Sequence, residues 1–158
     1  MRTSLARQVE AITSSIRVLI VEDNQYLRKL VRNLLVNIGV KKIDEVDDAL
    51  GGFEVIKAID PDVVMLEWEL PLLNGGELTR IIRTPGMLAH PSVPIIMYST
   101  SAPRGRVAEA KRLGVDAYLT MPVSAKALAD RIVTVLTKPR RAAAKAGGGE
   151  SPDSVFMV

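Results

Sequence analysis

From position 16 onward, short apolar runs alternate with longer segments in which apolar residues recur every three or four positions. The short runs are rich in β-branched residues, which is typical of strands that are buried on both faces. The longer segments have the spacing of helices that bury one side. The predicted strands are Ile16–Val21, Ile43–Val46, Val63–Leu66, Ile95–Tyr98 and Ala117–Leu119. The pattern therefore predicts a strand followed by a helix, repeated five times.

Capping residues indicate where the helices begin and end. Asn24 offers an N-cap to the first helix of the repeat, and Gly39 stops that helix after Ile38. Ser124 caps the last helix in the same way. The helices between them are predicted from Asp47 or Asp48 to about Ile59, over Glu77–Arg83 and over Arg104–Leu113. Each strand is thus followed by a helix with a recognisable start or stop.

Such alternation is typical of an α/β fold, a doubly wound parallel sheet with helices on both faces. In these folds the functional site lies at the carboxyl ends of the strands. The residues at those ends are Glu22 and Asp23, Glu67, Ser99 and Thr100, and Thr120 and Met121. We therefore expect the function of the chain to reside at this edge of the sheet.

Composition and charge favour one domain over 16–137, with an extension at each end, 1–15 and 138–158. Hydrophobic residues make up 47% of the chain, which is enough for a core of ordinary size. Acidic and basic residues balance within the central domain, so the net charge of +3 comes from the extensions. A basic domain face for nucleic acid is therefore not indicated.

The absence of cysteine narrows the chemistry further. It excludes disulfides, thiolate catalysis and cysteine-based zinc sites, and it fits a cytoplasmic protein. No apolar run is long enough to span a membrane, and the first 15 residues lack the apolar stretch of a signal peptide. We expect neither a membrane nor a nucleic acid as partner.

Both extensions contain apolar residues that the repeat does not explain. Leu5, Val9 and Ile12 have helical spacing, which predicts a short amphipathic helix that packs on its own domain or on a second subunit. The C-terminal extension is rich in Ala, Gly and charge, which is typical of a flexible linker. Its last residues, Val155–Val158, are either incidental or a docking segment for a partner copy.

Three carboxylates are expected to meet at the edge of the sheet. Glu22 and Asp23 follow one strand, and Glu67 follows a strand that we expect to be its neighbour. Like charges at close range raise a pKa unless a cation compensates, and Mg²⁺ is the natural oxygen-bound cation. Each acid alone is typical of a solvated loop, whereas the three together favour a site.

Four segments carry the pattern of a known family. Its first strand and acid pair are similar to RVLIVEDN (17–24), and its third strand and following loop to PDVVMLEWELPLLNGGEL (61–78). Its fourth and fifth strands are similar to VPIIMYST (93–100) and GVDAYLTMPVSAKAL (114–128). Over about 17–136 the chain thus resembles the receiver domain of bacterial two-component response regulators. This resemblance implies a CheY-like, flavodoxin-like (βα)5 fold with strand order 2-1-3-4-5.

The match extends to single positions, with two departures. Glu67 stands where the family has its phosphate-accepting Asp, and Met121 stands where it has Lys. Ser99 matches the switch hydroxyl and Tyr118 the switch aromatic residue. Pro122 matches the family's proline, so the resemblance implies a cis bond between Met121 and Pro122. The chain is therefore expected to be an atypical, pseudo-receiver type.

The two departures affect one reaction. In the family, the aspartate attacks a phosphoryl group held by Mg²⁺, and the lysine stabilises the developing charge. Glu67 extends its carboxylate by about 1–1.5 Å, a misplacement that costs on the order of 100-fold in rate. Met121 carries no charge, so a transition-state contact is missing. We expect ordinary phosphorylation at Glu67 to fail; the alternative is a residual phosphoacceptor that receives phosphate from a histidine kinase.

The resemblance also implies a ligand set and a switch. The candidate Mg²⁺ ligands are Glu22, Asp23, Glu67 and Glu69. Loss of the lysine charge favours the ion and a more apolar pocket disfavours it, so Mg²⁺ binding stays open. Ser99 is placed to donate a hydrogen bond to Glu67 while Tyr118 turns inward, which would hold an active-like state.

The expected function is two-component signal transduction by protein–protein interaction, not enzymatic catalysis. The expected partners are a sensor histidine kinase or another two-component protein, and a second copy of the chain in a homodimer. The contact surface would be the segment 104–119 with the last helix. Its outward faces are expected to carry Arg104, Arg106, Lys111, Arg112 and Lys126, which could steer an acidic partner. DNA binding is the weakest of the hypotheses, because no output domain is present.

Overall fold

The structure is a computed structural model and describes residues 4–138. The strands are β1 (Arg17–Val21), β2 (Lys42–Val46), β3 (Val63–Glu67), β4 (Ile95–Ser99) and β5 (Ala117–Thr120). The helices are α1 (Ser4–Thr13), α2 (Gln25–Asn37), α3 (Ala49–Ile59), α4 (Gly75–Arg83), α5 (Arg106–Leu113) and α6 (Ala125–Thr137). The predicted alternation of strands and helices is confirmed within residues 16–137.

All five strands form one parallel sheet in the order β2-β1-β3-β4-β5. This arrangement confirms the predicted doubly wound, flavodoxin-like fold and its strand order. The register places Glu67 of β3 beside Tyr98 of β4, and Tyr98 in turn beside Leu119 of β5. The carboxyl ends of β1, β3, β4 and β5 therefore share one edge.

Side chains that alternate along the strands build two apolar cores, one on each face of the sheet. The core under α3, α4 and α5 contains Leu19, Leu66, Met97, Ile56, Leu78 and Ala110. The core under α2 and α6 contains Ile20, Met65, Tyr98, Leu119, Met121, Val31, Leu35, Leu128 and Ile132. We call the second one the α2–α6 core. Burial of both faces explains why β1, β3 and β4 are nearly continuous apolar runs.

Helix starts follow the capping residues that the sequence offers. The Asn24 side chain accepts from the amide of Leu27, and the Asp48 side chain caps α3. The Ser124 side chain caps α6 in the same way. Asn74 forms a reciprocal capping box with Glu77, so α4 begins at Gly75, two residues earlier than predicted.

The start of α5 is a correction. The helix was expected from Arg104 but begins at Arg106. Gly105 has φ +85°, a left-handed conformation that cannot continue into a right-handed helix. The residues before Arg106 therefore belong to the loop that leaves β4.

The predicted N-terminal helix is present and packs on its own domain. α1 contacts α6, and the buried Thr13 hydroxyl donates to the carbonyl oxygen of Ile38 at 2.6 Å. Ile16 lies beyond the helix and belongs to the α2–α6 core. The predicted flexible linker and apolar end lie outside the described residues, apart from Lys138. No helix within 4–138 is long and apolar enough to cross a membrane.

Candidate functional site

The carboxyl edge of the sheet brings the predicted site residues together. Glu22 follows β1, Glu67 ends β3, Ser99 ends β4 and Met121 follows β5. All four side chains belong to buried residues. These buried side chains, which we call the carboxylate pocket, include two carboxylates and are not a solvated loop cluster.

Glu22 is held by donors from two directions. Its exposed fraction is only 1%. One carboxylate oxygen, Oε1, accepts from the hydroxyl of Tyr98 at 2.8 Å, and Oε2 accepts from the amide of Asn24 at 3.1 Å. Burial raises the pKa of Glu22 above its usual value, and the two hydrogen bonds act against that rise. Both oxygens of this carboxylate are thus engaged within the protein.

Glu67 occupies a similar environment with fewer partners. Its exposed fraction is 3%, and its Oε2 accepts from the amide of Glu69 at 2.7 Å. Burial, together with the nearby charges of Glu22, Glu69 and Asp23, raises the pKa of Glu67 to about 7. The Glu67 carboxyl group is therefore close to half protonated near neutral pH.

Tyr98 is the site residue that sequence analysis missed. It was expected only as the last residue of an apolar strand, yet its fully buried hydroxyl reaches into the carboxylate pocket. Burial and the adjacent Glu22 and Glu67 raise the pKa of Tyr98, so its hydroxyl stays protonated and donates. The one signal in the sequence was the hydroxyl group itself, since a buried hydroxyl needs a hydrogen-bond partner. The sequence of a strand buried on both faces does not indicate which residue that partner is.

Met121 lies in apolar surroundings. Its side chain is 7% exposed and belongs to the α2–α6 core, together with Tyr98 and Leu119. Its amide donates to the carbonyl oxygen of Ser99 at 2.8 Å, and its peptide bond to Pro122 is cis, as expected. The residue that follows β5 therefore contributes a neutral thioether to the carboxylate pocket.

Ser99 and Tyr118, the two predicted switch residues, pair with each other and not with Glu67. The hydroxyls of Ser99 and Tyr118 lie 2.5 Å apart, and the Ser99 hydroxyl also donates to the carbonyl oxygen of Ser101. Tyr118 is 2% exposed, so its side chain is turned inward. The expected hydrogen bond from Ser99 to Glu67 is absent from the hydrogen bonds of these described residues, because the Ser99 hydroxyl is used elsewhere.

Comparison with known proteins identifies the family of this fold and site. The family model described as response regulator receiver domain matches residues 18–133. The chain belongs to the response regulator receiver family. It is a receiver domain of two-component signalling, the class to which histidine kinases and other two-component proteins bind.

Two curated relatives of this receiver are chemotaxis proteins. Chemotaxis protein CheY-3 of Vibrio cholerae is 33% identical over 125 residues, which cover 78% of this chain and 95% of the relative. Chemotaxis protein CheY of Pseudomonas aeruginosa is 28% identical over 122 residues, covering 77% of this chain and 97% of the relative. The match spans nearly the whole of these proteins.

Solved structures confirm the receiver fold. The receiver domain of a Francisella response regulator has a TM-score of 0.68 and 22% identity, and covers 78% of this chain and 98% of that one. The receiver domain of a Pseudomonas aeruginosa sensor histidine kinase also has a TM-score of 0.68, with 24% identity over 77% of this chain and 97% of that one. That structure holds a magnesium ion coordinated in its active site cleft.

The corresponding cleft of this receiver does not present a preformed cation site. Glu22 and Glu67 are buried and accept internal hydrogen bonds, while Asp23 is exposed. The Glu69 carboxylate lies 3.4 Å from Nη1 of Arg106. Within residues 4–138, no three acidic or histidine side chains are placed to hold one metal ion. The four-carboxylate ligand set stays a prediction that this geometry does not support.

Arg106 connects the receiver's pocket to α5, and its expected outward position is wrong. Its guanidinium lies over the ring of Trp68, 4.3 Å from the ring centroid, and its side chain is only 14% exposed. Trp68 directly follows Glu67, and its ring packs close to Gly76. Arg106 points inward because the tryptophan ring and the Glu69 carboxylate attract its charge.

Proposed function

We propose that this receiver signals through protein–protein interaction without phosphorylation at Glu67. The observation that carries the proposal is the state of the acceptor position. The Glu67 carboxylate is buried and accepts from the backbone amide of Glu69, while the neutral Met121 fills the place of the family's lysine. The pocket thus lacks the charge arrangement that phosphoryl transfer requires.

Three properties of Glu67 oppose its phosphorylation. The extra methylene moves the nucleophilic oxygen by about 1 Å, which costs on the order of 100-fold in rate. The pKa of about 7 leaves a large protonated fraction at neutral pH, and a protonated carboxyl group is a poor nucleophile. No cationic side chain donates to Glu67 among the hydrogen bonds and ion pairs described for residues 4–138, so developing charge is unopposed.

The switch pair supports a fixed signalling state. Tyr118 is turned inward, and its hydroxyl is hydrogen-bonded to that of the buried Ser99. We infer that β5 and the helices beside it, α5 and α6, keep one conformation. This surface would meet a histidine kinase or another two-component protein in the cytoplasm.

Charge on that surface favours an acidic partner. Arg104 and Arg112 are exposed there, and Lys126 is exposed but paired with Asp130 at 3.1 Å, whereas Arg106 covers Trp68. Exposed charges of one sign raise the rate of association with an oppositely charged surface. Binding to such a partner should therefore weaken as the salt concentration rises.

A homodimer is a further part of the proposal. α1 packs on α6 of its own chain, so its packed side is not free to bind a second copy. A dimer must use other surfaces, such as the remainder of the α5–β5–α6 face. Light scattering on the full chain at high concentration should detect the dimer, and a strict monomer would refute it.

Intact-mass spectrometry tests the proposal. The wild type is incubated with MgCl₂ and a small-molecule phosphodonor, beside the matched double variant Glu67→Asp/Met121→Lys. No adduct is expected on the wild type, and an adduct is expected on the double variant because both family groups return to the intact fold. An adduct that maps to Glu67 in the wild type would favour the alternative, a residual phosphoacceptor.

A further inference from the structure

The hydroxyl of Tyr98 and the carboxylate of Glu22 form a contact that the proposed function does not use. Tyr98 is fully buried on β4 and Glu22 is 1% exposed after β1. The hydroxyl donates to Oε1 at 2.8 Å across the carboxyl end of β3, which lies between these strands. The contact thus places a hydrogen-bond donor in the middle of the carboxylate pocket.

This donor occupies the carboxylate face that a cation would need. Oε1 of Glu22 is bonded to Tyr98, and Oε2 is bonded to the amide of Asn24. Oε2 of Glu67 is bonded to the amide of Glu69. A divalent ion such as Mg²⁺ needs oxygen ligands at close to ideal octahedral positions, together with several waters. An ion entering here would have to compete with these donors for the same buried carboxylate oxygens.

Arg28, the cationic side chain near Glu22, does not bind the Glu22 carboxylate either. Arg28 approaches from α2, but its Nη1 donates to the backbone carbonyl oxygen of Glu22 at 2.7 Å. Its Nε donates to the carboxylate of Glu45 at 3.2 Å. Tyr98 is therefore the side chain described as donating directly to the Glu22 carboxylate.

We propose that the Tyr98 hydroxyl takes the position of a divalent cation at Glu22, so that this receiver holds its carboxylate pocket together without metal. The tyrosine ring is packed in the α2–α6 core, which also contains Met121, so the hydroxyl cannot leave without opening that core. A hydrogen bond to a charged group is worth at least a factor of about ten in binding. Tyr98 should lower the affinity for Mg²⁺ by about that factor or more.

Backbone-amide NMR provides a test that needs neither phosphorylation nor a partner. MgCl₂ is titrated into the full chain at constant ionic strength, and the signals of Asp23, Glu67 and Trp68 are followed. Wild type should show no saturable shift below tens of millimolar. Tyr98→Phe keeps the ring and frees Oε1 of Glu22, so it should bind Mg²⁺ about tenfold more tightly or better.

Three further variants complete the experiment. Tyr98→Leu opens more space and should also gain affinity, which covers the case in which the phenylalanine variant folds poorly. Tyr118→Phe removes a buried hydroxyl that contacts Ser99 and no carboxylate, so it should gain nothing. Glu67→Asp shortens the acceptor residue but keeps Tyr98, and it should gain less than Tyr98→Phe.

Each outcome decides the inference. It is overturned if the wild type binds Mg²⁺ saturably at low millimolar concentration, or if neither Tyr98 variant gains affinity. It is also overturned if Glu67→Asp gains as much as Tyr98→Phe, because the length of Glu67 would then exclude the ion. A weak-binding wild type with a gain specific to Tyr98 supports it, whatever the phosphodonor assay shows.

Discussion

Replacing Glu67 by glutamine should make the domain more stable at alkaline pH. Glutamine keeps the oxygen that accepts from the amide of Glu69, but it cannot ionise. In the wild type, the pKa of Glu67 rises from 4.5 to about 7 on folding because the carboxyl group is buried beside other acids. The folded protein therefore holds a proton that the unfolded chain releases.

The sign and size of the effect follow from proton linkage. Between pH 4.5 and 7 the folded state binds more protons than the unfolded state, so rising pH lowers the free energy of unfolding. Each unit of pKa shift is worth about 1.4 kcal/mol, so the total loss attributable to Glu67 is about 3 kcal/mol. The loss is small below pH 4.5 and complete above pH 7. Because Glu67 is 3% exposed, solvent screening reduces this loss of stability only slightly.

Urea denaturation followed by circular dichroism at pH 5 and pH 8 measures the effect. The stability difference between Glu67→Gln and wild type should be about 2–3 kcal/mol larger at pH 8 than at pH 5. The exposed Glu54 on α3 offers a control, since Glu54→Gln removes one carboxylate that is in contact with solvent. Equal pH dependence in wild type and Glu67→Gln would refute the assignment of a raised pKa to Glu67.

Three further substitutions test local packing and backbone geometry. Gly75→Ala should lower the free energy of unfolding by about 2–3 kcal/mol, because its Cβ would lie 2.4 Å from the carbonyl oxygen of Glu67. Gly86→Ala, at φ +86° with open space around it, should cost only about 1 kcal/mol in the same thermal or urea assay. Arg106→Ala should cost about 1–2 kcal/mol and move the fluorescence of Trp68, the chain's single tryptophan, to longer wavelength. Equal losses for both glycines, or unchanged emission, would contradict these contacts.

The architecture could be predicted because its signals are local. Apolar runs of β-branched residues mark the strands, and Asn24, Asp48 and Ser124 mark helix starts that the structure confirms. Strict alternation of these elements allows few topologies, since parallel strands need crossovers of one hand. The meeting of Glu22 and Glu67 at one edge follows directly from that topology.

The hydrogen-bond partners within the site could not be predicted. They depend on distances between side chains of different strands, which a sequence pattern does not contain. Tyr98 belongs to a strand buried on both faces, so no periodicity indicates that its hydroxyl reaches Glu22. The Ser99 hydroxyl was expected to bond to Glu67. It is hydrogen-bonded instead to the backbone oxygen of Ser101 and to the hydroxyl of Tyr118. Charge alone suggested a solvated Arg106, whereas stacking on a neighbouring ring turned it inward.

The central claim is that this receiver works without phosphorylation at Glu67. The most direct measurement is the intact mass of the wild type after prolonged incubation with phosphodonor and MgCl₂ at pH 8. At that pH the carboxyl group of Glu67, with its pKa of about 7, is mostly ionised and therefore most nucleophilic. We predict an unchanged mass under these favourable conditions. A stoichiometric phosphoryl adduct on Glu67 would contradict the account.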